Sequence, residues 1–326
     1  MCSHSLIPAV AVVIATWARK FGWDVPFQLS SGKLTYAAAA PSQEEIFRML
    51  NAKAKSESRK IDDAGLSKLP TELSRRIWRE EQENDEIYRR RSLEGLDLSR
   101  THYGHRHMLN WALQRLPHLN GARVLDIGVG EGQSSVLLAR SGAHVTGIDI
   151  SGEALTRANE LAKRCGVKPE FMRMAGEELR FPDASFDAIL CISAYHHMDL
   201  ERATAEFVRV LRPGGRVVMI EPLATNPPAW LYRRVGRLFA REATSEETPL
   251  RVADLKLLRQ CFRRVEWQGM YLLSVGLFGL DRIFGNSTIR SLAESAFTWV
   301  CPLDSVLLKI PGLQRIAWKI GVVAEL

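Results

Sequence analysis

Asp126 stands two residues ahead of Gly128 in the stretch VLDIGVGEGQ (residues 124–133), and further glycines follow at 130 and 132. An apolar run entering close-set glycines lets bare backbone approach a ligand, as a dinucleotide site also requires. The third glycine of the dinucleotide spacing would fall at 133, however, where this chain has Gln133. The Asp126 carboxylate also lies where a helix N-terminus would have to stay free for a pyrophosphate. A phosphate is poorly served here. A second acid, Asp149, closes the next apolar run in VTGIDIS, 21 residues after Gly128, the place from which a carboxylate grips the two hydroxyls of a ribose. Together these residues describe a site for a nucleoside with a cationic, phosphate-free tail, and S-adenosylmethionine is such a molecule.

Regular alternation surrounds the two acids. RVLDIG, HVTGIDI, EFMRMA, FDAILCI and GRVVMIEPL read as buried strands, and FRRVEWQGM as one more. Between them QSSVLLARSG reads as a helix closed by Gly142, SGEALTRANELAKRCG as one capped by Ser151 and closed by Gly166, and DLERATAEFVRVL and RVADLKLLRQC as two more. Strand and helix alternating over short loops predict a parallel sheet wrapped on both faces. Upstream, THYGHRHMLNWALQRLPHL predicts a helix offering Met108, Leu109, Trp111, Ala112 and Leu116 to a core and stopping at Pro117. Residues 41–100 are polar and charged, with Leu73, Ile77 and Ile87 at helical spacing. Beyond FRRVEWQGM the chain turns apolar and less regular.

The ordered set VLDIGVGEG, VTGIDIS, FPDASFDAILCISAYHHM and RVLRPGGRVVMIEP, spanning about residues 120–223, resembles the class I S-adenosylmethionine-dependent methyltransferases, in particular the ubiquinone/menaquinone-type branch acting on small molecules. The resemblance implies an α/β fold with a doubly wound, mostly parallel seven-stranded sheet whose last strand is antiparallel. It implies S-adenosyl-L-methionine as cofactor. Asp126, Gly128 and Gly130 would line the methionine end, Asp149 the ribose, Ile150 the adenine, and Gly176 and Glu177 the loop along the adenine edge. Where relatives commonly carry an aspartate for the adenine amine this chain has Ala175, so another group must substitute. The expected organisation is an N-terminal extension and helical lid over 1–100, with Tyr88 and Tyr103 closing over the site, the cofactor-binding domain over 101–270, and an apolar C-terminal extension over 271–326 completing the sheet and the substrate side.

Tyr195, His196 and His197 follow the fourth strand, at the crevice where ligands of open parallel sheets lie, and Glu221 ends the fifth. For an oxygen acceptor a histidine could take the proton; for a carbon acceptor an aromatic face or carboxylate could steady a developing cation. These four are the candidate catalytic residues. The plainer reading of the histidines is loop orientation, and of Glu221 a backbone hydrogen-bond acceptor. His102, Tyr103, His105 and His107 resemble a ligand cluster, yet no acid or cysteine completes it and no metal is expected. Asn226, Pro227 and Pro228 follow the fifth strand, one strand too late for the signature of amine methylation on bases, and read as a helix start.

At 326 residues, 46% hydrophobic and 25% charged, the composition is that of a globular protein. The net charge of +7 is small for this length, and with no recognisable RNA-binding segment no nucleic-acid partner is expected. The five cysteines are scattered without a Cys-x-x-Cys pair, which predicts neither disulfides nor zinc and fits the cytoplasm. LIPAVAVVIATWA (residues 6–18) is too short to span a bilayer. PAWLYRRVGRLFAR is amphipathic and basic, so a peripheral membrane contact stands beside simple packing. The expected substrate is a small, lipophilic quinone, isoprenoid or polyketide, its tail held by Trp230, Leu231, Leu238, Phe239, Tyr271, Leu272, Leu273, Leu277, Phe278 and Phe284. RNA or protein methylation, or a catalytically silent cofactor-fold module, are the alternatives.

Overall fold

The computed structural model describes residues 27–30, 33–36, 71–93, 96–227, 248–278, 287–310 and 312–326. The expectations placed on residues 6–18, on the helix 228–241 and on Phe284 lie outside them. The chain divides into two compact units, 1–49 and 50–326. Within the first, Phe27–Ser30 pairs antiparallel with Lys33–Tyr36.

In the second unit a seven-stranded sheet is built from β1 (Arg123–Ile127), β2 (His144–Asp149), β3 (Glu170–Arg173), β4 (Phe186–Ile192), β5 (Leu211–Pro222), β6 (Arg264–Met270) and β7 (Lys319–Glu325). Their order is β3-β2-β1-β4-β5-β7-β6. The pairs from β3 through β5 are parallel, and β7 runs antiparallel between β5 and β6. The doubly wound, mostly parallel architecture is therefore the one expected, with the last strand reversed. Strand order turns outward on both sides of β1 and β4, and that reversal opens the crevice at their carboxyl ends where ligands bind in such sheets.

The helices are α1 (Thr71–Arg89), α2 (Tyr103–Leu113), α3 (Gln133–Arg140), α4 (Gly152–Arg164), α5 (Leu200–Val210), α6 (Leu255–Cys261) and α7 (Ser287–Leu307). Ser151 caps α4 by accepting the Ala154 N–H, as its position predicted, and Asp199 caps α5 through the Arg202 N–H. All five core residues expected of the 103–116 segment are buried. The helix stops at Leu113, four residues short of Pro117, because the chain tightens at Gln114 before it meets the proline's restriction on its neighbour. EFMRMA is a strand but not a buried one: β3 pairs only with β2 at the sheet edge, and Glu170, Met172 and Arg173 are exposed. Tyr271 and Phe278 pack with Phe297, Trp318 and Tyr103 in an aromatic part of the main core. Core packing, not a tail pocket, is what those two side chains build.

Candidate active site

The glycine loop leaves β1 with Gly128 at φ +72° and Gly130 at φ +53°, conformations that L side chains rarely adopt. The Gly128 N–H donates to Ile148 O at 2.8 Å, and the Gly130 N–H to Asp149 Oδ2 at 2.9 Å. The second Asp149 oxygen accepts the Ser151 N–H at 2.9 Å. Burial raises the Asp149 carboxyl above its ordinary range, against the pull of those N–H groups. One carboxylate thus ties the loop after β1 to the turn after β2, and it still faces a cavity.

That cavity is floored by Gly128, Ile148, Asp149 and Ile150, walled by Met174, Gly176 and Glu177 after β3 and by Ser193, Ala194 and His197 after β4, and covered by Ile77, Glu80, Asn84 and Tyr88 of α1. Three carboxylates line it and no lysine or arginine does. Glu80 is 4% exposed, and its Oε1 has no hydrogen-bond donor; His197 Nδ1 is 3.6 Å away. A buried acceptor without a donor costs about 1–3 kcal/mol, so a ligand bringing an N–H or O–H is favoured here. A nucleoside has both, and an acidic cavity without a cation suits a positively charged tail over a phosphate. The residues present fit S-adenosylmethionine.

Not every expected residue faces the cavity. Asp126 is turned away: its Oδ2 accepts the hydroxyls of Ser134 and Ser135, both at 2.6 Å, in the first turn of α3. Burial pushes its carboxyl up to about 6 against those hydrogen bonds. Glu177 lines the cavity, but its Oε1 accepts from Arg76 at 2.6 Å and from the Asp199 N–H at 3.0 Å, joining α1 to the start of α5. Tyr195 is buried beneath the site; its hydroxyl lies 2.6 Å from Thr204 Oγ1, and it lines neither cavity described here. Glu221 is fully buried and accepts the N–H groups of Ala194 (3.2 Å) and Tyr195 (3.0 Å) on Oε1, while Oε2 lies 2.6 Å from His196 Nδ1. The backbone-acceptor role weighed for Glu221 is present, with His196 added to it.

A second cavity opens on the other side of the glycine loop. Tyr88, Gly128 and Ser193 belong to both, and Thr101, His102, His105 and Glu131 are new to it. Lys319 Nζ, at the start of β7, donates to Ser193 Oγ at 2.6 Å. Burial first, then the charges of Lys319 and His102, lower His105 to about 4, so its ring is neutral at ordinary pH.

Helix α1 is tied down over the first cavity by Arg76 to Glu177, Glu81 to Arg173, and the Ser151 hydroxyl to Asp85 at 2.5 Å. Arg157 fastens the chain beyond it by donating to Arg91 O and Ser92 O. The Glu81–Arg173 pair is exposed on its arginine side and is worth about 0–1 kcal/mol, whereas Glu177 is buried where it meets Arg76. Tyr88 sits on this cover, with its hydroxyl 2.9 Å from where a Gly130 side chain would begin. Tyr103 does not, being part of the aromatic core. Proteolysis within residues 71–93 is expected to slow when S-adenosylhomocysteine is added; equal cleavage in both states would count against a closing cover.

Among known proteins, residues 125–219 match the family described as Methyltransferase domain. An enzyme named ubiquinone biosynthesis O-methyltransferase from Aeromonas salmonicida is 37% identical over 131 residues, covering 39% of this chain and 54% of that protein. The 27-O-demethylrifamycin SV methyltransferase of Amycolatopsis mediterranei is 39% identical, covering 38% and 47%. A phosphatidylethanolamine N-methyltransferase of Cereibacter sphaeroides is 41% identical, covering 33% and 56%. This chain spans about half the length of these relatives. Their names differ in the acceptor and share methyl transfer. Residues 125–219, which include the glycine loop and the central strands of the sheet, are similar to a methyltransferase domain.

Proposed function

We propose that this protein transfers a methyl group from S-adenosylmethionine to an oxygen or carbon of a small, largely apolar metabolite of quinone, isoprenoid or polyketide type. The observation that carries the cofactor half is the acidic cavity, lined by no lysine or arginine, at the reversal of strand order, where Glu80 Oε1 has no donor within hydrogen-bond distance. In this reading Asp149 holds the ribose hydroxyls, Ile150 and Gly176 flank the base, and Glu80 supplies the acceptor that Ala175 lacks. Gly128 and Gly130 let the backbone reach the ligand. Asp126 and Glu177 act one step back, the first by fixing α3 and the second by fixing α1.

S-adenosylmethionine supplies an electrophilic methyl group on a sulfonium. The chain's own task is to hold the acceptor atom in line with it and to take a proton where the acceptor is a hydroxyl. The second cavity is the entry for the acceptor, and it shares Gly128 and Ser193 with the first. His105 and His102 line it, and a neutral His105 can accept a proton from an acceptor hydroxyl. His197 faces the cofactor cavity. Glu221 and His196 are positioning residues: a carboxylate accepting from Nδ1–H fixes the ring, and its other oxygen fixes the turn that carries Ser193 and Ala194.

Incubating the protein with methyl-labelled S-adenosylmethionine and fractionated cell extract tests the reading. Label is expected in the organic phase; label in RNA or protein would overturn the acceptor class. In calorimetry, Glu80→Gln is expected to weaken S-adenosylhomocysteine by about 1 kcal/mol and Asp149→Ala by about 1–3 kcal/mol. An unchanged affinity for both would remove these residues from the site.

A further inference from the structure

Strand β7 runs against the parallel strands, so its first residue, Lys319, stands opposite Pro222 at the carboxyl end of β5, the end at which such sheets bind their ligands. The residue before it fixes its place. The Trp318 ring packs with Tyr271 and Phe278, its N–H donates to Tyr271 O, and its carbonyl accepts the Leu223 N–H. Lys319 is 9% exposed, and Nζ reaches past the end of β5 to donate to Ser193 Oγ at 2.6 Å. Ser193 belongs to both cavities. Its φ of +56° is one that glycine takes without strain and serine does not, and its side chain gains the Lys319 hydrogen bond there.

Having accepted from Lys319, the Ser193 hydroxyl still carries a hydrogen of its own to donate, and a neighbouring ammonium makes it a stronger donor. The acids lining the second cavity are engaged elsewhere: Glu131 meets Arg157 and Arg91, and Asp97 accepts the Ser99 N–H. Glu221 is taken up by His196 and the turn after β4. His102, whose Nδ1 accepts the Gly104 N–H, and the neutral His105 line the same cavity. An oxygen placed against Ser193 therefore meets a donor backed by a cation, which favours the ionised form of a hydroxyl. A base as weak as His105, lowered to about 4, suits a hydroxyl made acidic by a ring or double bond and not an aliphatic alcohol.

We propose that Ser193 and Lys319 form an oxyanion site that takes the acceptor through an ionised phenolic or enolic hydroxyl, Ser193 donating to the oxygen and Lys319 balancing its charge. This rests on the methyl-transfer reading and narrows its acceptor. The hydroxyl proton passes by way of His105 to water. A lone pair of the anion then forms the oxygen–carbon bond while the carbon–sulfur bond breaks and leaves its electron pair on sulfur, so that oxyanion and sulfonium become a neutral ether and a neutral thioether. The site is read without turnover, from the visible phenolate band of para-nitrophenol bound to the full chain at saturating S-adenosylhomocysteine. The ratio of phenolate to phenol is expected to be at least about tenfold higher for bound dye than for free dye at the same pH. Lys319→Met, which keeps the length of the stem, is expected to return that ratio to the free-dye value, and Ser193→Ala, which keeps the ammonium, to lower it several-fold. The oxyanion site is overturned if wild type binds S-adenosylhomocysteine but leaves the dye ratio unchanged, or if either variant, with S-adenosylhomocysteine bound, ionises the dye as wild type does. A wild type that binds no S-adenosylhomocysteine overturns the methyl-transfer reading, and the oxyanion site with it.

Discussion

Replacing Glu221 with alanine is expected to lower folding stability by at least about 3 kcal/mol, since three buried donors lose their acceptor at about 1–3 kcal/mol each. The variant leaves the Ala194 and Tyr195 N–H groups and His196 Nδ1 without the carboxylate that now meets all three. Total stability of a domain is about 5–15 kcal/mol, so a loss of this size brings the protein close to unfolding. Glu221→Gln keeps an oxygen for the two N–H groups and is expected to cost only about 1–2 kcal/mol. With its oxygen on those two groups its NH2 faces Nδ1 and cannot accept from Nδ1–H, so the His196 ring must change tautomer or turn. Urea titration of both variants measures the difference. An alanine variant within about 1 kcal/mol of wild type would show that the turn after β4 is not held by Glu221.

Gly128→Ala is expected to lose at least about tenfold in S-adenosylhomocysteine affinity, because a side chain there meets two separate obstacles. At φ +72° an alanine is strained by about 1–2 kcal/mol. Its Cβ would also lie 2.4 Å from Ala194 Cβ, forcing the glycine loop and the turn after β4 apart. Those two segments wall both cavities, so the ligand site widens as they separate. Gly312→Ala is the control: its φ of +95° imposes similar strain, but nothing lies within 4 Å of the added carbon. Both variants are expected to melt about 2–8 °C lower, and only Gly128→Ala to lose ligand. Equal affinity in the two would contradict this account of the loop.

The strands were legible in the sequence because each central one is a short apolar run between turn residues, and a strand covered on both faces has no other composition available. The same logic misjudged EFMRMA, whose edge position depends on strand order and leaves no trace in its own residues. Asp149 could be placed by spacing because the loop, the strand and the acid are close in sequence. Asp126 has the same kind of signature, yet two serines eight and nine residues on draw its carboxylate under the loop. Glu80 was illegible: it lies in REEQENDE, a run that reads as a solvated helix face, and only the packing of α1 over the cavity buries it. Lys319 was equally hidden, since it meets Ser193 only through the insertion of β7 beside β5.

Titration calorimetry of the full chain with S-adenosylhomocysteine tests the central claim most directly. The acidic cavity predicts one site per chain, competed by S-adenosylmethionine and weakened in Asp149→Ala. No heat with either sulfur ligand, together with tight binding of NAD, would contradict it and assign the glycine loop to a dinucleotide.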